Sequence, residues 1–291
     1  MAQIGMVIPT LGTRPAWLRG TLKSMFEQRG VDLKVVIVTP RPDEVRLIAA
    51  GTPAVVVASD TPGISAAVNE GWAELLDSTF LAWLGDDDLL APGSLRISQD
   101  ALVRNAAASG TYGCVRYIDA ANETLFVARP GRFASAYLPW GKDLVPQPGS
   151  LFRREAVEAV GGLDTSLRYA MDFDLFLKLR TTGPLLYLSS EVASFRLHPG
   201  SITGANQSSV EAESVRARFH SARVNSIRRS LAPLQSVTDR ALYKLSRRPG
   251  VWFHKCSGAT MYSRSIVMPI STAQRHEELR PNGFDDPRIP I

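Results

Sequence analysis

Short apolar runs alternate with segments of helical periodicity through the first 110 residues. Residues 4–8 (IGMVI), 33–38 (LKVVIV), 54–58 (AVVVA) and 80–84 (FLAWL) are rich in β-branched and aromatic side chains and lack strict apolar/polar alternation. A half-exposed strand alternates and a strand covered on both faces does not, so these runs predict a mainly parallel sheet buried between helices. Between the first two, Leu18, Leu22, Met25 and Phe26 recur at helical spacing behind Pro15, a residue suited to a first helical turn. Between the third and fourth, residues 65–76 (SAAVNEGWAELL) predict a second helix with Ser65 as its N-cap. This β-α-β-α-β rhythm implies a doubly wound, Rossmann-like α/β sheet whose ligand site lies at the carboxyl ends of the strands.

Farther along, REAVEAVGGLD reads as a helix stopped by Gly161 and Gly162. DFDLFLKLRTTGP reads as another, from about residue 172 to Gly183, and residues 185–188 read as a strand. After HPGSIT (198–203) the pattern changes. Val215, Phe219, Ala222, Ile227 and Leu231 form one apolar helical face among arginines, and Val237, Ala241, Leu242 and Leu245 suggest a second. A boundary is placed near residue 206, giving a catalytic-type domain over 1–205 and a basic, mainly helical extension over 206–291.

Charge sharpens that division. The net charge is +5, yet residues 211–250 alone carry +6 and the first 210 residues carry −2. The basic helices offer a face for an anionic membrane surface, for a partner or second copy, or for packing back on the first domain. Nucleic acid is not expected, because no binding motif accompanies the charge. No run approaches the ~18 consecutive apolar residues of a membrane span, and MAQIGMVIPT lacks a charged region followed by a long apolar one, so a cytoplasmic protein with at most peripheral membrane contact is expected. Two cysteines, without a CxxC, and four histidines argue against a disulfide framework or a thiolate zinc site. Any metal would be held by oxygen ligands.

At the end of the fourth apolar run stand Gly85, Asp86, Asp87 and Asp88. Three adjacent carboxylates repel one another. Either they form a solvated acidic loop, or a hard cation such as Mg²⁺ or Mn²⁺ sits among them together with the phosphates of a nucleotide.

Five blocks in order, VIPTLGTRPAWLRGTLKSM, PGISAAVNEG, FLAWLGDDDLLAPGSL, SLFRREAVEAVGGLDTSLRYAMDFDLFLKL and FRLHPGSIT, resemble the family 2 glycosyltransferases of GT-A fold over about residues 3–203. The resemblance implies a metal-dependent, inverting enzyme of hexosyltransferase type that moves a sugar from a nucleotide-diphosphate donor, a UDP-sugar first, to a hydroxyl acceptor. It implies Pro9, Thr10, Arg14, Thr39, Asp60 and Asn69 on the nucleotide side. Asp86 and Asp87 would face the nucleotide sugar, and Arg196 would pair with the diphosphate. Asp87, Asp88 and His198 would hold Mn²⁺ or Mg²⁺. Asp172 would be the catalytic base, with Asp174 as its competitor, and Trp140, Gly162 and Asp164 would lie on the acceptor side. Gly85 departs from the pattern, since many relatives carry an aspartate there, and no clear acidic counterpart follows the second strand. Two other readings stay open: a sugar nucleotidyltransferase, disfavoured because PTLGTRP lacks a Gly-rich basic loop, and a non-catalytic sugar-nucleotide or glycan-binding module.

Overall fold

The computed structural model describes residues 2–139, 143–198, 213, 214, 216 and 217. Trp140, the proposed boundary near 206 and the two basic helices, apart from the four residues just named, lie outside the described residues. No described helix is long and apolar enough to cross a membrane.

The four apolar runs form parallel strands. β1 (Gln3–Pro9) lies between β2 (Asp32–Thr39) and β4 (Phe80–Trp83), and β3 (Val55–Ala58) pairs with β2 at the edge. Burial on both faces explains the continuous apolar character of β1, β4 and the second half of β2, whereas the edge strand β3 is part-exposed despite its valines. Ile4, Met6 and Ile8 of β1 pack with Leu18, Leu22 and Met25 of α1 (Pro15–Phe26) and Leu95 and Leu102 of α4 (Ser94–Arg104). Val7 turns to the other layer, with Val68 and Trp72 of α3 (Ile64–Ala73) and Phe173 and Phe176 of α7 (Met171–Leu179). α3 approaches closely through Gly71, where a Cβ would stand 2.6 Å from a Val7 methyl. Ser65 is not the N-cap: Gly63 takes that position at φ 100°, and the Ser65 hydroxyl donates to the Leu167 carbonyl inside the protein.

Beyond β4 the sheet becomes mixed. The full order is β3-β2-β1-β4, then β8 (Leu151–Arg153), β6 (Gly110–Ile118), β9 (Leu185–Arg196) and β5 (Leu89–Leu90), with β7 (Thr124–Ala128) on β6. β8 runs antiparallel to both β4 and β6, while β9 is parallel to β6. β9 extends the strand expected over 185–188 to Arg196, and so carries His198 to the mouth of the sheet. β5 and β7 are short antiparallel additions, and α2 (Pro42–Ile48), α5 (Ala134–Tyr137) and α6 (Arg154–Ala159) complete the elements.

Candidate active site

β1 and β4 end side by side, so Thr10 and Arg14, which follow β1, meet the acidic loop that follows β4. The loop is braced from two directions. Thr21 of α1 donates to the Asp88 carbonyl at 2.8 Å and Ser24 accepts from the Leu90 N–H, while from β9 the Arg196 N–H donates to Asp88 Oδ1 at 2.9 Å. The Arg196 guanidinium, expected on the diphosphate, donates from Nε to the Asp87 carbonyl and from Nη1 to the Asp119 carbonyl. Gly85 is small for a reason of space. A Cβ there would lie 2.8 Å from Asp87 Oδ1 and 3.0 Å from Asp88 Oδ2, because both carboxylates fold back over it.

The three aspartates are unequal. Asp86 is 4% exposed, accepts from the Thr10 hydroxyl and receives Arg14 Nη2 at 2.7 Å. Burial raises its pKa, partly offset by Thr10 and Arg14. Asp88 is enclosed, and burial followed by the charge of Asp87 holds it well above the usual carboxylate range. Asp87 is the most open, with a side chain 16% exposed. Its Oδ2 receives Arg14 Nη1 at 2.8 Å and stands 2.8 Å from His198 Nε2, which is itself 2.7 Å from the same Nη1. Trp17, one helical turn after Arg14, supports the cluster. Its ring lies 4.8 Å from the His198 ring, with the Arg14 and Arg196 guanidinium carbons 5.7 and 5.1 Å from its centroid.

These atoms fit a divalent cation of modest protein coordination. Asp87 Oδ2 and His198 Nε2 converge on one point, and their separation is close to the ~3 Å edge of an octahedron with ~2.1 Å bonds. No group of three or more His, Cys, Asp and Glu suited to a metal gathers among the described residues. A cation here would take two protein ligands and complete its shell with phosphate oxygens and water, as Mg²⁺ does in phosphate-handling sites.

The other expected nucleotide-side residues ring the same strand ends. Pro9 closes β1, and buried Thr39 closes β2 with its Oγ1 accepting from the Arg41 N–H. Asp60 is exposed just after β3. Asn69 faces elsewhere: its amide donates to the Leu163 carbonyl at 2.8 Å and its oxygen accepts the Leu163 N–H at 3.0 Å. Asn69 thus ties α3 to the turn at Gly161 and Gly162, where φ values of 77° and 70° favour glycine. Asp164 caps that turn by accepting the Ser166 N–H.

Asp172 and Asp174, the two candidates for the base, share the first turn of α7 but differ in surroundings. Asp174 is 2% exposed and ion-paired to Lys178 at 2.7 Å. Asp172 lies at the partly buried N-terminus, accepts the Phe173 N–H at 2.8 Å, and is pushed up to about 6 by burial. Its neighbour is Asp143, which accepts the Val145 N–H and is held well above the usual range by burial and then by Asp172. The segment carrying Asp143 reaches the end of β4 through Gln147, whose amide donates to the Trp83 carbonyl at 2.9 Å.

Three contributors escaped sequence reasoning. Trp17 was findable, as an aromatic at i+3 from Arg14 on a helix start. Asp143 lies in a loop without periodicity. Glu213 lies far along the chain, yet its carboxylate accepts the Arg168, Tyr169 and Ala170 N–H groups at 2.7–3.2 Å, immediately before α7. Nearby Ala217 is buried in the core layer of α7.

Comparisons with known proteins agree with this architecture. The mannosyltransferase PcManGT from Pyrobaculum calidifontis, solved with GDP-Man and Mn²⁺, superposes with TM-score 0.56 at 19% identity, covering 76% of this chain and 64% of its own. S. aureus TarS 1–349, solved with UDP-GlcNAc, gives TM-score 0.55 at 12% identity, covering 75% of this chain and 66% of its own. Against another TarS structure the covered share of that chain is 39%. No curated protein matches by sequence. At such identities the likeness shows the GT-A fold. The sequence itself matches the model of glycosyl transferase family 2 over residues 6–161, more than half its length, and the chain belongs to that family.

Proposed function

We propose that the protein transfers a sugar from a nucleoside-diphosphate donor to a hydroxyl acceptor with inversion at the anomeric carbon, assisted by Mn²⁺ or Mg²⁺. The observation that carries this reading is the convergence of Asp87 Oδ2 and His198 Nε2 beside Arg14 at the ends of β1 and β4. Relatives in fold are described with nucleotide sugars, one with GDP-Man and Mn²⁺ and one with UDP-GlcNAc. A UDP-sugar is the first donor to test.

Asp87 and His198 would hold the cation, which supplies positive charge to the diphosphate as it leaves. Arg14 is placed to bind phosphate oxygens, and a guanidinium matches them two at a time. Arg196 and Asp88 act one step back, by fixing the backbone of the acidic loop. Asp172 is the base. Direct displacement at the anomeric carbon requires the acceptor hydroxyl to lose a proton as it attacks, and a carboxylate raised to about 6 is ionised at neutral pH yet basic enough to accept it. Asp174, already paired with Lys178, is poorly suited to that task. The acceptor's chemical class is left to experiment.

Incubation with Mn²⁺ and a panel of sugar nucleotides tests the reading. Slow release of nucleoside diphosphate and free sugar, accelerated by the right acceptor, is the expected result. Pyrophosphate release would instead mark a nucleotidyltransferase, and binding without turnover a non-catalytic module.

A further inference from the structure

We propose that Arg14 is the resident counter-cation of the acidic site: without metal its guanidinium holds the place between Asp87 and His198, and a divalent cation enters as Arg14 moves to the phosphates of the incoming nucleotide. This rests on the reading that the site takes a nucleoside diphosphate and a divalent cation.

The two candidate ligand atoms touch one and the same nitrogen. Arg14 Nη1 is 2.8 Å from Asp87 Oδ2 and 2.7 Å from His198 Nε2, which are 2.8 Å from each other. Hydrogens cannot satisfy all three sides of that triangle. If Nε2 carries a proton and donates it to Asp87, it faces the N–H of Arg14 donor to donor. If Nε2 accepts from Arg14, it faces Asp87 acceptor to acceptor. A divalent cation is the partner that satisfies both lone pairs at once, so the arrangement with arginine is a second-best occupancy.

Arg14 is also built to leave. Its side chain is 35% exposed, against 4% for its partner Asp86, and its buried Nε has no hydrogen-bond partner among the described residues. Trp17 lies under the guanidinium and offers a surface to slide on. Metal entering alone would strand that guanidinium beside a dication. Metal entering with a diphosphate gives it new oxygens at once. Metal and nucleotide therefore strengthen each other's binding, and reciprocally, as any coupling between two ligands must.

The test is Mn²⁺ binding by the full-length chain, read from the electron paramagnetic resonance signal of free Mn²⁺, with and without saturating UDP. In the wild type, UDP should tighten Mn²⁺ binding about tenfold or more. Arg14→Gln retains donors for Asp86 and Asp87 without the charge. It should bind Mn²⁺ alone about tenfold more tightly than wild type, gain little from UDP, and lose the site when Asp87→Asn is added. Melting curves guard against misfolding: Mn²⁺ alone should raise the melting temperature of Arg14→Gln and leave wild type nearly unchanged. If Arg14→Gln binds Mn²⁺ alone no better than wild type, or if wild-type affinity is indifferent to UDP that does bind, Arg14 is not a counter-cation. If neither protein binds UDP, the nucleotide reading fails, while the metal-only comparison still decides the role of Arg14.

Discussion

Two groups of carboxylates in this molecule are treated in opposite ways. Asp86 and Asp87 after β4 are met by a guanidinium, and the neighbouring Arg196 ties down their backbone. Among the described residues the hydrogen-bond donors found for Asp143 and Asp172 are backbone N–H groups, such as those of Val145 and Phe173, and burial drives both pKa values upward. The first arrangement suits carboxylates held against a cation, one that can be exchanged for another. The second suits a carboxylate that takes up and releases a proton near neutral pH. Residue type is the same in both groups, and the partners decide the chemistry.

The comparison breaks hardest at Asp172. Asp172→Asn should lower the transfer rate by about 10²–10⁴-fold, the usual contribution of a general base, while leaving Mn²⁺-dependent nucleotide binding intact. The same substitution should stabilise the fold at high pH. A carboxyl raised in the folded state favours folding below its unfolded pKa and loses that contribution as pH rises through about 6. Melting of Asp172→Asn should therefore exceed wild type by roughly 2–8 °C at pH 8 and match it at pH 4. Asp87→Asn should do the reverse on the other side, weakening Mn²⁺-dependent nucleotide binding by about 10²-fold in calorimetry.

Smaller effects sharpen the surroundings of Asp172. Glu213→Ala leaves three N–H groups ahead of α7 without their acceptor and should cost about 1–3 kcal/mol in urea unfolding, with Glu213→Gln recovering part of it. Asp143→Asn replaces a carboxyl that burial holds well above the usual range next to Asp172. Because burial is what raises Asp172, the acid limb of the pH–rate profile should stay near 6 and the rate at pH 8 should change by less than about threefold.

Legibility followed the same division. The parallel half was written in its apolar runs: both faces of β1 and β4 are buried, so periodicity alone located the strands and placed the acidic loop at their ends. The mixed half was not, because β6, β8 and β9 pair by long-range register that no local pattern encodes, and β9 runs eight residues beyond its apolar core. Among site residues, the cluster at Asp86, Asp87 and His198 was visible as motif. The identity of its resident cation was not: Arg14 is 72 residues from Asp86 and reaches it only through the pairing of β1 with β4. The tie of Asn69 to the Leu163 backbone, one hydrogen bond from its nitrogen and one to its oxygen, is a tertiary contact that its place in the motif did not signal. Asp143 and Glu213 carry no sequence signal because the partners that matter, Asp172 for the first and the Arg168–Ala170 backbone for the second, lie far off in the chain.

The most direct test of the division between a cation site and a proton site is calorimetric binding of UDP, with and without Mn²⁺, to wild type, Asp87→Asn and Asp172→Asn. Loss of the Mn²⁺-dependent gain in Asp87→Asn, with wild-type values in an Asp172→Asn protein that no longer turns over, is the predicted result. Equal loss of that gain in both variants, or full turnover by Asp172→Asn, would contradict it.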